Sequence, residues 1–166
     1  SYTFAVDGVS RALTHQLVRH RIASFNQQSQ RYVKFTGEVA VVKPESVAGN
    51  VAASEAFDKA IQAAVDAYHA LLEAGVPAED ARYLLPNAAE SKIVITMNVR
   101  ELLHFFSLRC CNRAQWEIRD MAHRMLELAR PTAPFIFADA GAPCVRGTCP
   151  EGKMTCGNPY PKVTRE

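Results

Sequence analysis

The chain has 166 residues, 48% hydrophobic and 22% charged, which suits a single globular domain with a filled core and excludes a disordered chain. A formal charge of +2, from 19 Lys and Arg against 17 Asp and Glu, is too balanced for a protein that coats nucleic acid through its overall field. No apolar run approaches the roughly 18 residues that cross a bilayer, and SYTFAVDGVSR lacks the charged-then-apolar order of a signal peptide, so the expectation is a cytoplasmic chain with no membrane partner.

YTFAV reads as a strand, with Asp7-Gly8 as a turn signal after it. Ser10 can cap a helix in which Leu13, Leu17 and Val18 recur at helical spacing, ending in or near the Arg19-His20-Arg21 triplet. A polar connection from Thr36 to Asn50 is punctuated by Gly37, Pro44 and Gly49. A long helix follows over about 54–74, stopped by Gly75. Along it Ala56, Ala60, Ala63, Ala67, Ala70 and Ala74 form a seam of small side chains that another helix could approach closely. Pro77, with Glu79 and Asp80, opens a short helix that carries Arg82 and stops near Pro86. KIVITM reads as a buried strand. Two helices are expected after it, from Asn98 to about Leu108 and from about Ala114 to Ala129, with Trp116, Ile118, Met125 and Leu128 available for burial.

Strands and helices are mixed without βαβ regularity, giving an α/β chain of the α+β type. The character changes after Pro131, where Gly, Pro and Cys lose all periodicity. The expected organisation is therefore a domain over 1–138 and a Cys/Gly/Pro-rich tail over 139–166. Five cysteines, two of them adjacent, do not make a secreted disulfide framework.

The densest chemistry lies in RHRIASFNQQSQRY, residues 19–32. As helix-end cations, Arg19, His20 and Arg21 could simply offset the dipole in solvent. That does not account for Ser24, Asn26, Gln27, Gln28, Ser29, Gln30 and Arg31, which set neutral donors and acceptors beside more charge. Arg forks grip phosphate while amides and hydroxyls read the edges of a heteroaromatic ring, so anion binding is preferred to a solvated face. A different class of function fits the same loop. Phe25, Tyr32 and Phe35 beside Arg19, Arg21 and Arg31 could serve a non-catalytic nucleotide- or RNA-binding module.

The pattern R-H-R-x-x-S-x-N-x-x-S-x-R-Y resembles the signature of the flavin-dependent thymidylate synthases. FAVDGVSRALTHQLVRHR, ARYLLP, TMNVRELLHFFSLR and AQWEIR follow in that family's order and approximate spacing. The resemblance covers about residues 3–130. It implies a thymidylate synthase-complementing fold with a small mixed sheet and several helices, and a homotetramer whose sites are shared between subunits. The implied activity makes dTMP from dUMP, with methylenetetrahydrofolate as carbon donor and NADPH-reduced FAD as hydride source, and has no nucleic-acid partner.

Carried across by position, the resemblance gives Arg19, His20, Arg21, Gln27, Asn98, Arg100 and His104 to the flavin. It gives Gln16, Arg19, Ser29, Arg31, Arg82 and Arg109 to dUMP, with the Gln27, Gln28, Ser29 and Gln30 backbone close beside it. Arg109 has the catalytic role, facing the uracil ring and favouring loss of the N3 proton. Without the resemblance, His104 between Leu103 and Phe105 reads as a satisfied core histidine. Ser29 has no identifiable base beside it and reads as a hydrogen-bonding residue. Cys110 and Cys111 could suggest the thiolate attack used by the unrelated thymidylate synthase class, yet the resemblance places no nucleophile there and buried thiols are preferred. Cys144-x4-Cys149-x6-Cys156 lacks the paired spacing of common zinc modules, so no metal is expected. Family members generally carry a Phe-Glu-His element just before the strand that YTFAV represents, and its histidine helps hold FAD. These 166 residues are expected to bind FAD more weakly for want of it.

Overall fold

The computed structural model describes residues 1–35 and 37–163. Its three strands are β1 (Tyr2–Ser10), β2 (Ala23–Gln27) and β3 (Glu90–Met97), in the sheet order β1-β3-β2. The helices are α1 (Arg11–Leu17), α2 (Glu45–Ala48), α3 (Val51–Glu73), α4 (Ala78–Ala81), α5 (Val99–Arg109), α6 (Trp116–Ala129) and α7 (Pro134–Phe137), with short 3-10 turns between and after them. This is the small sheet with several helices expected of the α+β class. Thr3 faces Thr96, hydroxyl to hydroxyl at 2.9 Å, while Asp7 reaches Lys92 at 2.9 Å, so β1 and β3 run antiparallel. No helix among the described residues is long and apolar enough to cross a membrane.

The chain forms two compact units. The first comprises Ser1–Phe4, Gln16–Phe25 and Ile95–Glu166, and the second Ala5–His15 and Asn26–Val94.

In the first unit, α5 packs on α6. Leu102, Phe105 and Phe106 from α5 and Ile118, Ala122, Met125 and Leu126 from α6 are buried. Phe106 meets Phe105 and Phe137 edge-on, at 5.9 and 6.2 Å between ring centroids. Removing each such ring from water contributes about 1.5–3 kcal/mol. The same periodicity predicts burial for Trp116 and Leu128, but the structure leaves them 37% and 66% exposed. Residues 139–163 lie along this unit: Asn112 donates to the Asn158 carbonyl at 2.8 Å, Arg113 pairs with Glu151 at 2.9 Å, and His123 meets the Tyr160 hydroxyl at 3.2 Å.

In the second unit, Ser10 caps α1 as expected, its hydroxyl accepting from the Leu13 amide at 3.0 Å. The Asp7-Gly8 turn signal is absorbed into β1 instead of ending it. Gly8 takes φ +68° there while the Asp7 carboxylate accepts from the Gly8 amide at 2.8 Å. Asn50 caps α3, and a paired closure ends it: Gly75 at φ +83° donates to the Leu72 carbonyl and Val76 to that of Leu71. Val65 and Tyr68 are the buried residues of α3, with Ile61 packed beside them on a cluster of Val39, Val65 and Ala89. All six alanines of the small-residue seam are exposed in the single chain.

Candidate active site

The first unit gathers most of the residues expected to hold flavin around α5. Asn98 is the N-cap, its side-chain oxygen accepting from the Glu101 amide at 2.9 Å, which leaves its NH2 as a donor. Asn98, Arg100 and His104 then line one open hollow of about 300 Å³ with Ile22 and Glu101. His104 is exposed, so the reading of it as a core histidine does not hold. The helical spacing of 100 and 104 turns both side chains to one face while Phe105 and Phe106 face the core. Arg19 and Arg21 are exposed, as solvated cations at the end of α1 should be.

His20 departs from that expectation. It is 5% exposed, and both its ring nitrogens are used inside the chain. Arg109 Nε donates to His20 Nε2 at 3.0 Å, and His20 Nδ1 lies 3.2 Å from Glu101 Oε1. An arginine Nε–H can only donate, so Nε2 must carry the lone pair and Nδ1 the proton, which it donates to Glu101. Burial, above all, holds the imidazole below its usual pKa; Glu101 opposes that shift and Arg109 and His104 add to it. His20 is thus a neutral bridge and not a third cation. The sequence reading fails here because the burial is created by a helix 81 and more residues away.

Arg109, the last residue of α5, is half-buried. Its Nη2 also approaches the Gln16 carbonyl, at 3.5 Å. Two of the five guanidinium N–H groups are so engaged among the described residues, and the others remain for a ligand. Arg109 also lines a cavity of about 320 Å³ with Asn112, Cys149 and Tyr160. The neighbouring Cys110 is fully buried, and burial pushes its thiol up to about 12, which suits an inert thiol and not a nucleophile. Among the described residues no group of three or more His, Cys, Asp or Glu is placed to hold a metal ion.

The second unit carries the residues expected around a phosphate. Arg31 donates from Nε and Nη2 to Glu79 at 2.9 and 2.6 Å, and Arg82 Nε donates to the Glu79 carbonyl at 3.0 Å. Both guanidiniums therefore converge on one residue, and the charge of Arg82 adds to burial in holding the Arg11 pKa down. Ser29 closes the loop locally, its hydroxyl accepting from the Arg31 amide at 3.2 Å. Gln27 gives its amide protons to Thr14 and Ser91, both at 3.0 Å, and Gln28 gives its backbone N–H to Lys92. Their side-chain and main-chain donors are committed to the fold. Gln30 is half-buried in the same loop. Phe35 packs into the Val39 cluster against Tyr68, which removes one of the three rings that a nucleic-acid-stacking module would use.

Sequence reasoning missed Glu101, Glu79 and Arg11. Glu101, three residues after Asn98, has the look of a capping-box residue, and that local role conceals its partner. Glu79 reads in the sequence as a first-turn acid, which hides its contacts with Arg31 and Arg82.

The second unit thus presents Arg31 and Arg82, both bonded to Glu79, and the first a helix face with amide, guanidinium and imidazole groups on one hollow beside an arginine bonded to His20. Residues 1–135 match the family described as thymidylate synthase complementing protein. The chain is 61% identical over 161 residues to the flavin-dependent thymidylate synthase of Geobacter sulfurreducens, covering 95% of this chain and 68% of the relative. It is 57% identical over 171 aligned residues to that of Nitratidesulfovibrio vulgaris, covering 97% and 69%, and 50% identical over 160 residues to that of Thermococcus onnurineus, covering 92% and 65%. The chain belongs to the flavin-dependent thymidylate synthase family.

Proposed function

We propose that the protein makes dTMP from dUMP as a flavin-dependent thymidylate synthase, taking the carbon from methylenetetrahydrofolate and a hydride from NADPH by way of FAD. The observation that carries this reading is the hollow on α5, where Asn98, Arg100 and His104 meet. An amide donor, a fixed cation and an imidazole form a donor set suited to a pyrophosphate and the carbonyl edge of an isoalloxazine, and exposed Arg19 and Arg21 add charge in the same unit. When bound, the flavin supplies the hydride. Arg31 and Arg82 take the dUMP phosphate in place of the contacts they make with Glu79. Arg109 presents its open edge to the uracil imide, stays protonated, and stabilises negative charge on the ring oxygens as N3 loses its proton. That raises electron density at C5, which attacks the one-carbon unit.

In the same reading the working form is a cytoplasmic homotetramer with sites shared between subunits. The exposed alanine face of α3 supports close packing of one copy on another. Purified protein supplied with FAD should take up the flavin, bleach under NADPH, and form dTMP only when dUMP and methylenetetrahydrofolate are both present. Failure to take up flavin, together with absence of dTMP, would overturn the reading. Light scattering reports the assembly, and a monomer at working concentrations would count against shared sites.

A further inference from the structure

Glu101, Phe105 and Arg109 lie at i, i+4 and i+8 on α5 and so share one face. Glu101 and Arg109 are eight residues apart, about 12 Å along the axis, too far to meet directly in this geometry. His20 is laid against that face. Its ring stands edge-on to Phe105 at 5.0 Å, and its two nitrogens reach the two ends, Glu101 at 3.2 Å and Arg109 at 3.0 Å. Among the described residues no buried side-chain polar atom lacks a partner, so the chain of bonds is closed.

The geometry assigns Glu101 and His20 as positioning residues for Arg109: Glu101 fixes the neutral Nδ1–H tautomer of His20, whose Nε2 lone pair then holds the guanidinium by Nε and leaves its far edge to the substrate. The assignment rests on the role proposed above for Arg109. It departs from a flavin-gripping role for the His20 side chain, because neither ring nitrogen is left over for a cofactor. The direction of the bonds is forced. An Arg donor requires an acceptor at Nε2, a neutral imidazole with an acceptor at Nε2 has its proton at Nδ1, and only a carboxylate or amide oxygen at position 101 can accept it. A neutral bridge also places no second charge beside the guanidinium. Misplacement of a catalytic group by about 1 Å can cost on the order of 100-fold in rate, so loss of the brace should be visible in turnover.

Three variants separate this from a purely structural role. Glu101→Gln keeps an acceptor oxygen for Nδ1–H, and the donor from Arg109 selects the amide orientation that presents it. Glu101→Ala removes the acceptor. His20→Phe keeps the ring packing on Phe105 and removes both nitrogens. With wild-type protein making dTMP, Glu101→Gln should stay within about 3-fold in kcat, while Glu101→Ala and His20→Phe should fall by about 10- to 100-fold. FAD affinity and NADPH-driven flavin bleaching should change by less than about 3-fold in His20→Phe, whose ring does not line the α5 hollow, corresponding to under 1 kcal/mol. Loss of flavin binding in step with dTMP formation in His20→Phe, or wild-type kcat in Glu101→Ala, would overturn the assignment. If wild-type protein makes no dTMP, the reading of function fails, and the bridge is still tested by 15N NMR of the His20 ring at neutral pH. A neutral ring protonated at Nδ1, lost in Glu101→Ala, supports the brace; an imidazolium or an Nε2–H tautomer refutes it.

Discussion

Alkylation of the reduced protein by iodoacetamide should all but spare Cys110. Its side chain is 0% exposed, and burial raises its pKa to about 12 even though the charge of Arg130 pulls the other way. The thiolate is the reacting form, so at pH 8 roughly one Cys110 in 10,000 is reactive, against about one in ten for a thiol at the ordinary value of 9.0. Ionisation alone then protects the residue about 1,000-fold, and exclusion of the reagent from the core adds to it. Peptide mass spectrometry of native protein labelled over time, against protein labelled in guanidinium where Cys110 is released, gives the protection factor directly. Native labelling within tenfold of the denatured rate would refute the argument. It would also revive a thiolate attack on the nucleotide, since the reagent would then have found an accessible, ionised sulfur next to Arg109.

Arg109→Lys should cut dTMP formation by about 100-fold, because lysine has no Nε–H to donate to His20 while a separate planar edge faces the imide; NADPH-driven flavin bleaching should suffer far less, and equal loss of both would count against the role. Folded His20 resists protonation relative to its ordinary value of 6.5, whereas the unfolded chain takes up the proton near that value. Its contribution to stability is therefore complete above pH 6.5 and declines as pH falls below it. Thermal melts of wild type should show that loss on acidification, and His20→Gln, which replaces a ring facing Glu101, Arg109 and His104, should show a shallower acid slope. Tyr68→Phe should cost about 1 kcal/mol in denaturant unfolding with an unchanged m-value, because the buried phenol oxygen accepts from the Phe35 amide at 3.2 Å; no change in midpoint would mean that this amide finds another partner.

What the sequence made legible was local. Ser10 and Asn98 are caps because their oxygens reach amides three residues on, and Gly75 ends α3 because it alone of its neighbours adopts a positive φ cheaply. The strand KIVITM and the long helix before it carry their own periodicity. What stayed hidden depends on partners far along the chain. ASFNQ has too few apolar residues to announce β2; it becomes a strand at the sheet edge beside β3, with Gln28 bonding the Lys92 carbonyl directly after it. The Gln27 side-chain amide reads as a free donor in the sequence, and in the fold its protons go to Thr14 and Ser91. Leu128 fits the apolar stripe of α6 by type, yet the described residues leave it 66% exposed.

The candidate site divides along the same line. Which residue types belong to it was readable, since Asn98, Arg100, His104 and Arg109 sit in one short segment at fixed helical spacing. How they are charged and aimed was not. The charge of His20 is set by Glu101 and Arg109, 81 and 89 residues away, and no local pattern distinguishes a solvated helix-end histidine from a buried neutral one. The distinction matters chemically. A protonated His20 would repel the Arg109 guanidinium and leave it no lone pair at Nε2, whereas the neutral ring holds the arginine without lowering its charge. The same three letters, Arg-His-Arg, therefore describe two exposed cations on either side of a buried acceptor, and it is the acceptor that directs a further arginine of the unit, Arg109.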